Sequence, residues 1–174
     1  MSLKKLGLSR IYLGVESGDD QVLAEIKKGE TAESLSAAGK KVMKAGIFLS
    51  TTVILGIGGF KYSEKHASAT ASLLNRISPN QVAALTLMVL ENTPLARQVH
   101  NKTFHLLDAP GYLIELRTLV ENLSLDRVQF MANHSSNYLP ISGRLARDKD
   151  RILSEIDQAI MGYTDLVPDR LRAL

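Results

Sequence analysis

The chain has 174 residues, of which 45% are hydrophobic and 22% charged, with a net charge of +3 and no cysteine. This is the composition of one ordinary globular domain, and it excludes disulfides and thiolate metal sites within the chain. No apolar run approaches the roughly 18 residues of a membrane span, the start has no secretory apolar core, and the dispersed Lys and Arg form no basic stripe, so neither membrane insertion nor nucleic-acid binding is supported. The expected setting is cytoplasmic, and Met1-Ser2-Leu3 reads as a leader added for expression.

Residues 10–15 are nearly continuously apolar and β-favouring, the pattern of a strand covered on both faces in a parallel sheet. Glu16 and Ser17 stand where that strand ends. Asp19 and Asp20 suit the start of a helix over 21–28, with Val22, Leu23 and Ile26 inward and Gly29 as its stop. Thr31 caps a second helix that places Leu35, Ala38, Val42 and Ala45 on one face and closes at Gly46. Residues 47–56 form the second strand, running into Gly56-Ile57-Gly58-Gly59, where glycine permits a sharp turn or a close approach. Ser63 then caps a helix ended by Ser78-Pro79-Asn80. Residues 81–90 are the third strand, and Pro94 suits the first position of a short helix through Val99. This β-α-α-β-α-β order predicts parallel strands joined by right-handed crossovers.

Beyond residue 100 the pattern is less regular. Pro110 and Gly111 precede a helix to about Leu123, residues 127–132 read as a fourth strand, and 133–140 as a polar turn. A last helix covers 147–163, and 164–174 reads as a frayed tail. The expected division is therefore 4–100, a parallel β/α unit, and 101–174, a mostly helical extension. Ligands of open α/β sheets and β/α barrels sit beyond the carboxyl ends of strands, which puts Glu16 and Ser17 where chemistry is usually done. The first strand has almost nothing before it to pair with. An apolar edge of that kind is exposed, so self-association through the first strand is expected, and the simplest architecture is the later part of a larger barrel.

The string Arg10-Ile11-x-x-Gly14-Val15-Glu16-Ser17-Gly18, followed by Val22-Leu23 and Lys28-Gly29, resembles the fourth-strand segment of radical S-adenosylmethionine (radical SAM) enzymes, nearest the methylthiotransferases and oxygen-independent coproporphyrinogen oxidases. Val53-Ile54-Leu55-Gly56-Ile57-Gly58-Gly59 is similar to their fifth strand and glycine turn, and Thr86 to Leu90 with Thr93-Pro94-Leu95 to their sixth strand and exit. The resemblance covers about residues 8–100. It implies an α/β fold, a partial (β/α) TIM-like barrel fragment. The parent would be an enzyme that holds a [4Fe-4S] cluster on a Cys-x3-Cys-x2-Cys loop and cleaves SAM to a 5′-deoxyadenosyl radical. This chain would be the C-terminal half of that barrel, inactive without the missing N-terminal half, and its substrate is not named by the resemblance.

On the same resemblance Glu16 and Ser17 lie near SAM, Lys28 meets its methionyl carboxylate, Thr52 points to ribose, and Gly56 and Gly58 turn beside adenine. Each has a plainer reading: a helix-leading acid, an N-cap, a solvated lysine, an ordinary strand threonine and a turn that lacks G-x-G-x-x-G. His134 reads as a turn histidine bonded to backbone, with proton transfer as the alternative, and His66, His100 and His105 lack metal-ligand spacing. The alternative for the whole chain is a free-standing, non-catalytic α/β domain that binds a ligand or another protein.

Overall fold

The computed structural model describes residues 3–173; Met1 and Ser2 of the expected leader, and Leu174 of the expected tail, lie outside the described residues. Five strands form one sheet in chain order: β1 (Arg10–Glu16), β2 (Phe48–Leu55), β3 (Gln81–Thr86), β4 (Val128–Ala132) and β5 (Ile141–Leu145). β1 to β4 are parallel, and β5 returns antiparallel to β4. The intervening helices are α1 (Asp20–Glu25), α2 (Ala32–Lys44), α3 (Gly59–Ile77), α4 (Pro94–His100), α5 (Ala109–Asn122) and α6 (Lys149–Ile160). Parallel strands added one after another on the same side wind in a single sense, which stacks the crossover helices on one face. The result is an α/β fold of partial-barrel type, as the strand and helix order predicts.

Strand alternation divides the sheet into two unlike faces. Leu49, Val53 and Leu55 of β2, Val82 and Ala84 of β3, and Val128, Phe130 and Ala132 of β4 are buried in one core with Leu73 and Leu74 of α3, Leu119 and Val120 of α5, and Ile152 and Ile156 of α6. The opposite face carries Arg10, Tyr12, Thr52, Gln81, Ala83, Gln129 and Met131, aligned by the ladder register and outside that core. The two-sided cover expected for the first strand is thus replaced by one-sided cover. Ile11 and Leu13 pack on the core, while Tyr12 is 70% exposed. The Arg10 guanidinium lies 4.2 Å from the Phe48 ring centroid on this open face.

Caps explain most boundaries. The Thr31 hydroxyl accepts from Ser34 N–H while the Ser34 side chain takes the Thr31 N–H, and Thr93 caps α4 with Pro94 in its first turn. α1 stops three residues earlier than expected. Lys28 N–H donates to Leu23 C=O and Lys27 N–H to Ala24 C=O, a Schellman closure with Lys27 rather than Gly29 in the first left-handed position (φ 56°). α3 starts at Gly59, so Ser63 lies inside its first turns and donates to Glu115 rather than capping. β3 ends at Thr86, short of the predicted residue 90, because the Thr86 N–H is taken by Ser136 Oγ and β4 pairs only as far as Ala83.

The part after residue 100 differs most from expectation. It supplies two of the five strands, so the sheet continues across the predicted division, and β5 replaces part of the expected turn-to-helix connection. The expected frayed tail is docked. Val167 N–H donates to Tyr138 C=O, Ala173 N–H to Ser135 C=O, and the Arg172 guanidinium stacks 3.7 Å from the Tyr138 ring centroid.

The two sheet edges are finished differently. At β5, Arg144 is exposed and the Ser142 carbonyl accepts from Arg151. β1 exposes Tyr12 beside the apolar Ile11 and Leu13. Unpaired strand groups with apolar neighbours recruit other chains. Sedimentation of the purified chain is expected to show concentration-dependent self-association through β1. A strict monomer at high micromolar concentration, with fast amide exchange along β1, would contradict it.

A candidate ligand mouth at the strand ends

β1 ends in an irregular turn. The ladder slips between Gly14 and Glu16, and Glu16 adopts a left-handed backbone (φ 60°). For a residue with a side chain this costs on the order of 1–2 kcal/mol, so the surroundings must hold it. They do so from beneath. Ser17 is 0% exposed; its Oγ accepts from Asp19 N–H at 3.0 Å and bonds His66 Nδ1 at 2.8 Å. Gly18 N–H donates to Thr70 Oγ1, and a Cβ at Gly18 would lie 2.3 Å from the Ala69 carbonyl oxygen. Asp19 caps α1 through the Gln21 and Val22 amides and pairs with Lys65 at 2.8 Å. Burial opposes ionisation of Asp19, but Lys65 and those amides outweigh it and hold the carboxyl below its usual range.

With its backbone turned in this way, Glu16 folds over Gly14. A Cβ at Gly14 would come within 2.3 Å of Glu16 Oε1 and 3.2 Å of Lys28 Nζ. Glu16 Oε1 and Lys28 Nζ are 3.0 Å apart, with their side chains 19% and 26% exposed. Thr52 is the ladder partner of Gly14. Glu16 and Lys28 therefore meet over Gly14 near the carboxyl end of β1, with Thr52 on the neighbouring strand in register with Gly14. The early end of α1 is what aims Lys28 here. A cleft of about 310 Å³ opens between the α1 end, Ile57 and α4, lined in part by Ile26, Lys27, Pro94, Leu95 and Phe104, and not by Glu16, Lys28 or Thr52.

The other sequence-predicted residues sit differently. Ser17 points inward. Gly56 (φ 81°) is pressed by Tyr112, whose ring would lie 2.2 Å from a Cβ there, and its N–H donates to Glu115 Oε1 at 2.5 Å. The space beside Gly58 belongs to Tyr62, His66 and Val22. Packing against helices accounts for both glycines. His134 Nδ1 accepts from Ser136 N–H, as its turn reading predicts.

Two residues that sequence reasoning missed, His66 on α3 and Glu115 on α5, join these turns. His66 Nε2 lies 3.5 Å from Glu115 Oε1, and Glu115 Oε2 accepts from Ser63 Oγ at 2.5 Å. Burial pushes His66 down to about 4, against the Ile54 carbonyl and Asp19, which favour the charged ring. Burial pushes Glu115 up to about 7, against the bonds from Ser63 and Gly56. Ser17, His66 and Glu115 follow the order of a nucleophile, base and acid. With Ser17 fully enclosed and its Oγ engaged by the Asp19 amide, no substrate reaches it, and the cluster is not a nucleophilic triad. Glu115 was visible in the sequence as an acid inside the apolar stripe Tyr112, Leu116, Leu119.

Among the described residues no group of three or more His, Cys, Asp or Glu could hold a metal, and no helix is long and apolar enough to cross a membrane. No protein-family model matches the chain, and no curated protein sequence matches it. In structure it is similar to the archaeal Methanocaldococcus infernus Elp3 with an N-terminal deletion, with a TM-score of 0.60 and 17% identity, over 92% of this chain and 38% of that one. At that identity the likeness is one of fold. The chain spans well under half the length of that neighbour.

Proposed function

We propose that this chain is the later part of a radical SAM-type barrel and that its strand-end mouth faces S-adenosylmethionine. The observation that carries this reading is the Glu16–Lys28 pair over Gly14 near the carboxyl end of β1, with Thr52 in register with Gly14 on the next parallel strand. The methionyl end of SAM carries an ammonium and a carboxylate. Glu16 and Lys28 present the complementary charges side by side, so the ligand exchanges one ion pair for two without leaving a charge unmatched. Thr52 offers a hydroxyl to ribose. Ser17, Gly56 and Gly58 act through the shape of the two turns.

The residues present do not fit a [4Fe-4S] cluster. Such clusters need thiolates, and the sequence has no cysteine. In this reading the parent enzyme is cytoplasmic, the cluster and the reductive cleavage of SAM belong to its missing N-terminal half, and the chain alone is inactive. An unnamed substrate would approach from the same open face. A second reading, a non-catalytic domain that pairs with another protein, is favoured by the bare β1 edge with its exposed Tyr12. It predicts association without SAM binding.

Calorimetry with SAM separates them. Hydrogen bonds to charged groups contribute about 1.5–3 kcal/mol, so Glu16→Gln and Lys28→Ala are each expected to weaken binding roughly tenfold or more. The ion pair stays in touch with solvent and itself adds about 1 kcal/mol, so both variants should unfold close to wild type. Unchanged SAM affinity in both variants would count against the proposed site.

A further inference from the structure

We propose that His66 and Glu115 are positioning residues that tie the turn after β1 to the turn after β2, so that the shape of the mouth follows the protonation of Glu115. The inference rests on the strand ends being the ligand site. Its geometry is a row of buried polar groups between the two turns. Ser17 Oγ accepts the Asp19 N–H and is hydrogen-bonded to His66 Nδ1 at 2.8 Å. The other ring nitrogen, Nε2, faces Glu115 Oε1 at 3.5 Å. The same Oε1 accepts from the Gly56 N–H, and Oε2 accepts from Ser63 Oγ. One end of the row is the residue next to Glu16; the other is the turn after β2.

The ionised carboxylate satisfies the Gly56 N–H and the Ser63 hydroxyl, and His66 Nε2 stands 3.5 Å from Oε1. A proton on Oε1 would displace the Gly56 N–H. A proton on Oε2 would force the Ser63 hydroxyl to reverse and accept. Either change moves the turn after β2 or the start of α3, and His66 passes it to Ser17. Burial of Glu115 brings this event near neutral pH. Other titratable and charged groups face the cluster. Asp19, beside α1, is held low by Lys65 of α3, and Tyr112 of α5 is pushed up to about 12 by burial. Beyond Tyr112 stand Tyr138, also pushed up by burial, Arg172 and Asp169.

The test is a pH titration of the labelled chain by NMR, without ligand. The Glu115 carboxyl carbon and the Gly56 and Gly18 amides are expected to share one midpoint near neutrality. Glu115→Gln, which mimics the protonated acid, should flatten the amide curves. His66→Gln should leave Gly56 titrating while Gly18 no longer does, a separation that a merely structural role would not produce. If His66→Gln fails to fold, the shared midpoint in wild type decides. A Glu115 carboxyl that stays ionised throughout, a Gly56 amide that does not titrate, or a Gly18 amide titrating unchanged in His66→Gln would overturn the proposal. Because these curves need no ligand, absent SAM binding would count against the ligand reading alone.

Discussion

The stability of Glu115→Gln is expected to climb by about 3 kcal/mol as the pH rises from about 4 to 6.5, while that of His66→Gln falls by about as much from 4.5 to about 7. The two signs follow from the two directions of shift. His66 is depressed on folding, so the unfolded chain binds its proton first on acidification; its contribution is complete above 6.5 and lost as the pH falls through about 4. Glu115 is raised on folding, so the unfolded chain releases its proton first; its contribution is complete below 4.5 and lost as the pH rises through about 7. In wild type the two slopes oppose each other over the shared window and leave a nearly flat curve. Each variant removes one slope and exposes the other. Urea midpoints across the pH range, taken as differences from wild type, cancel the other carboxylates. Parallel curves for all three proteins would show that neither group is perturbed by burial.

Phe130→Ala is expected to lower the unfolding free energy by about 3–5 kcal/mol, a large part of a typical domain's total. Phe130 is fully buried, and its strand joins the parallel and antiparallel parts of the sheet. It sits opposite Val82 of β3 and Gly143 of β5. Gly143 in turn leaves room for α6, since a Cβ there would come within 2.9 Å of Asp148 and Ile152 side chains. The region after residue 100 therefore shares the core of the β/α unit, and the whole sheet should melt together. Denaturation followed by circular dichroism should give one transition at a lower midpoint. Two separated transitions, with the first ninety residues unaffected, would show instead that the extension folds by itself.

The parallel strands were legible because Val, Ile and Leu cluster in short runs bounded by Gly, Pro, Asp and Thr, and local signals such as Thr31 and Pro94 act where they stand. What was not legible depended on distant partners. β5 is five residues with a glycine and an arginine, and it becomes a strand only through pairing with β4. The bare face of β1 was hidden because a short apolar run does not say which of its sides is covered. At the mouth, the position of Glu16 followed from strand polarity. Its pairing with Lys28 depended on Lys27 taking the left-handed place that Gly29 was expected to fill. The inward turn of Ser17 depended on His66, 49 residues away.

Chemical-shift mapping of SAM on the labelled chain tests the central claim most directly. The account predicts shifts confined to Gly14, Glu16, Lys28, Thr52 and the two flanking turns, lost together in Lys28→Ala. Absence of shifts at millimolar SAM, or shifts on the helical face around α3 and α5 with the mouth silent, would contradict it.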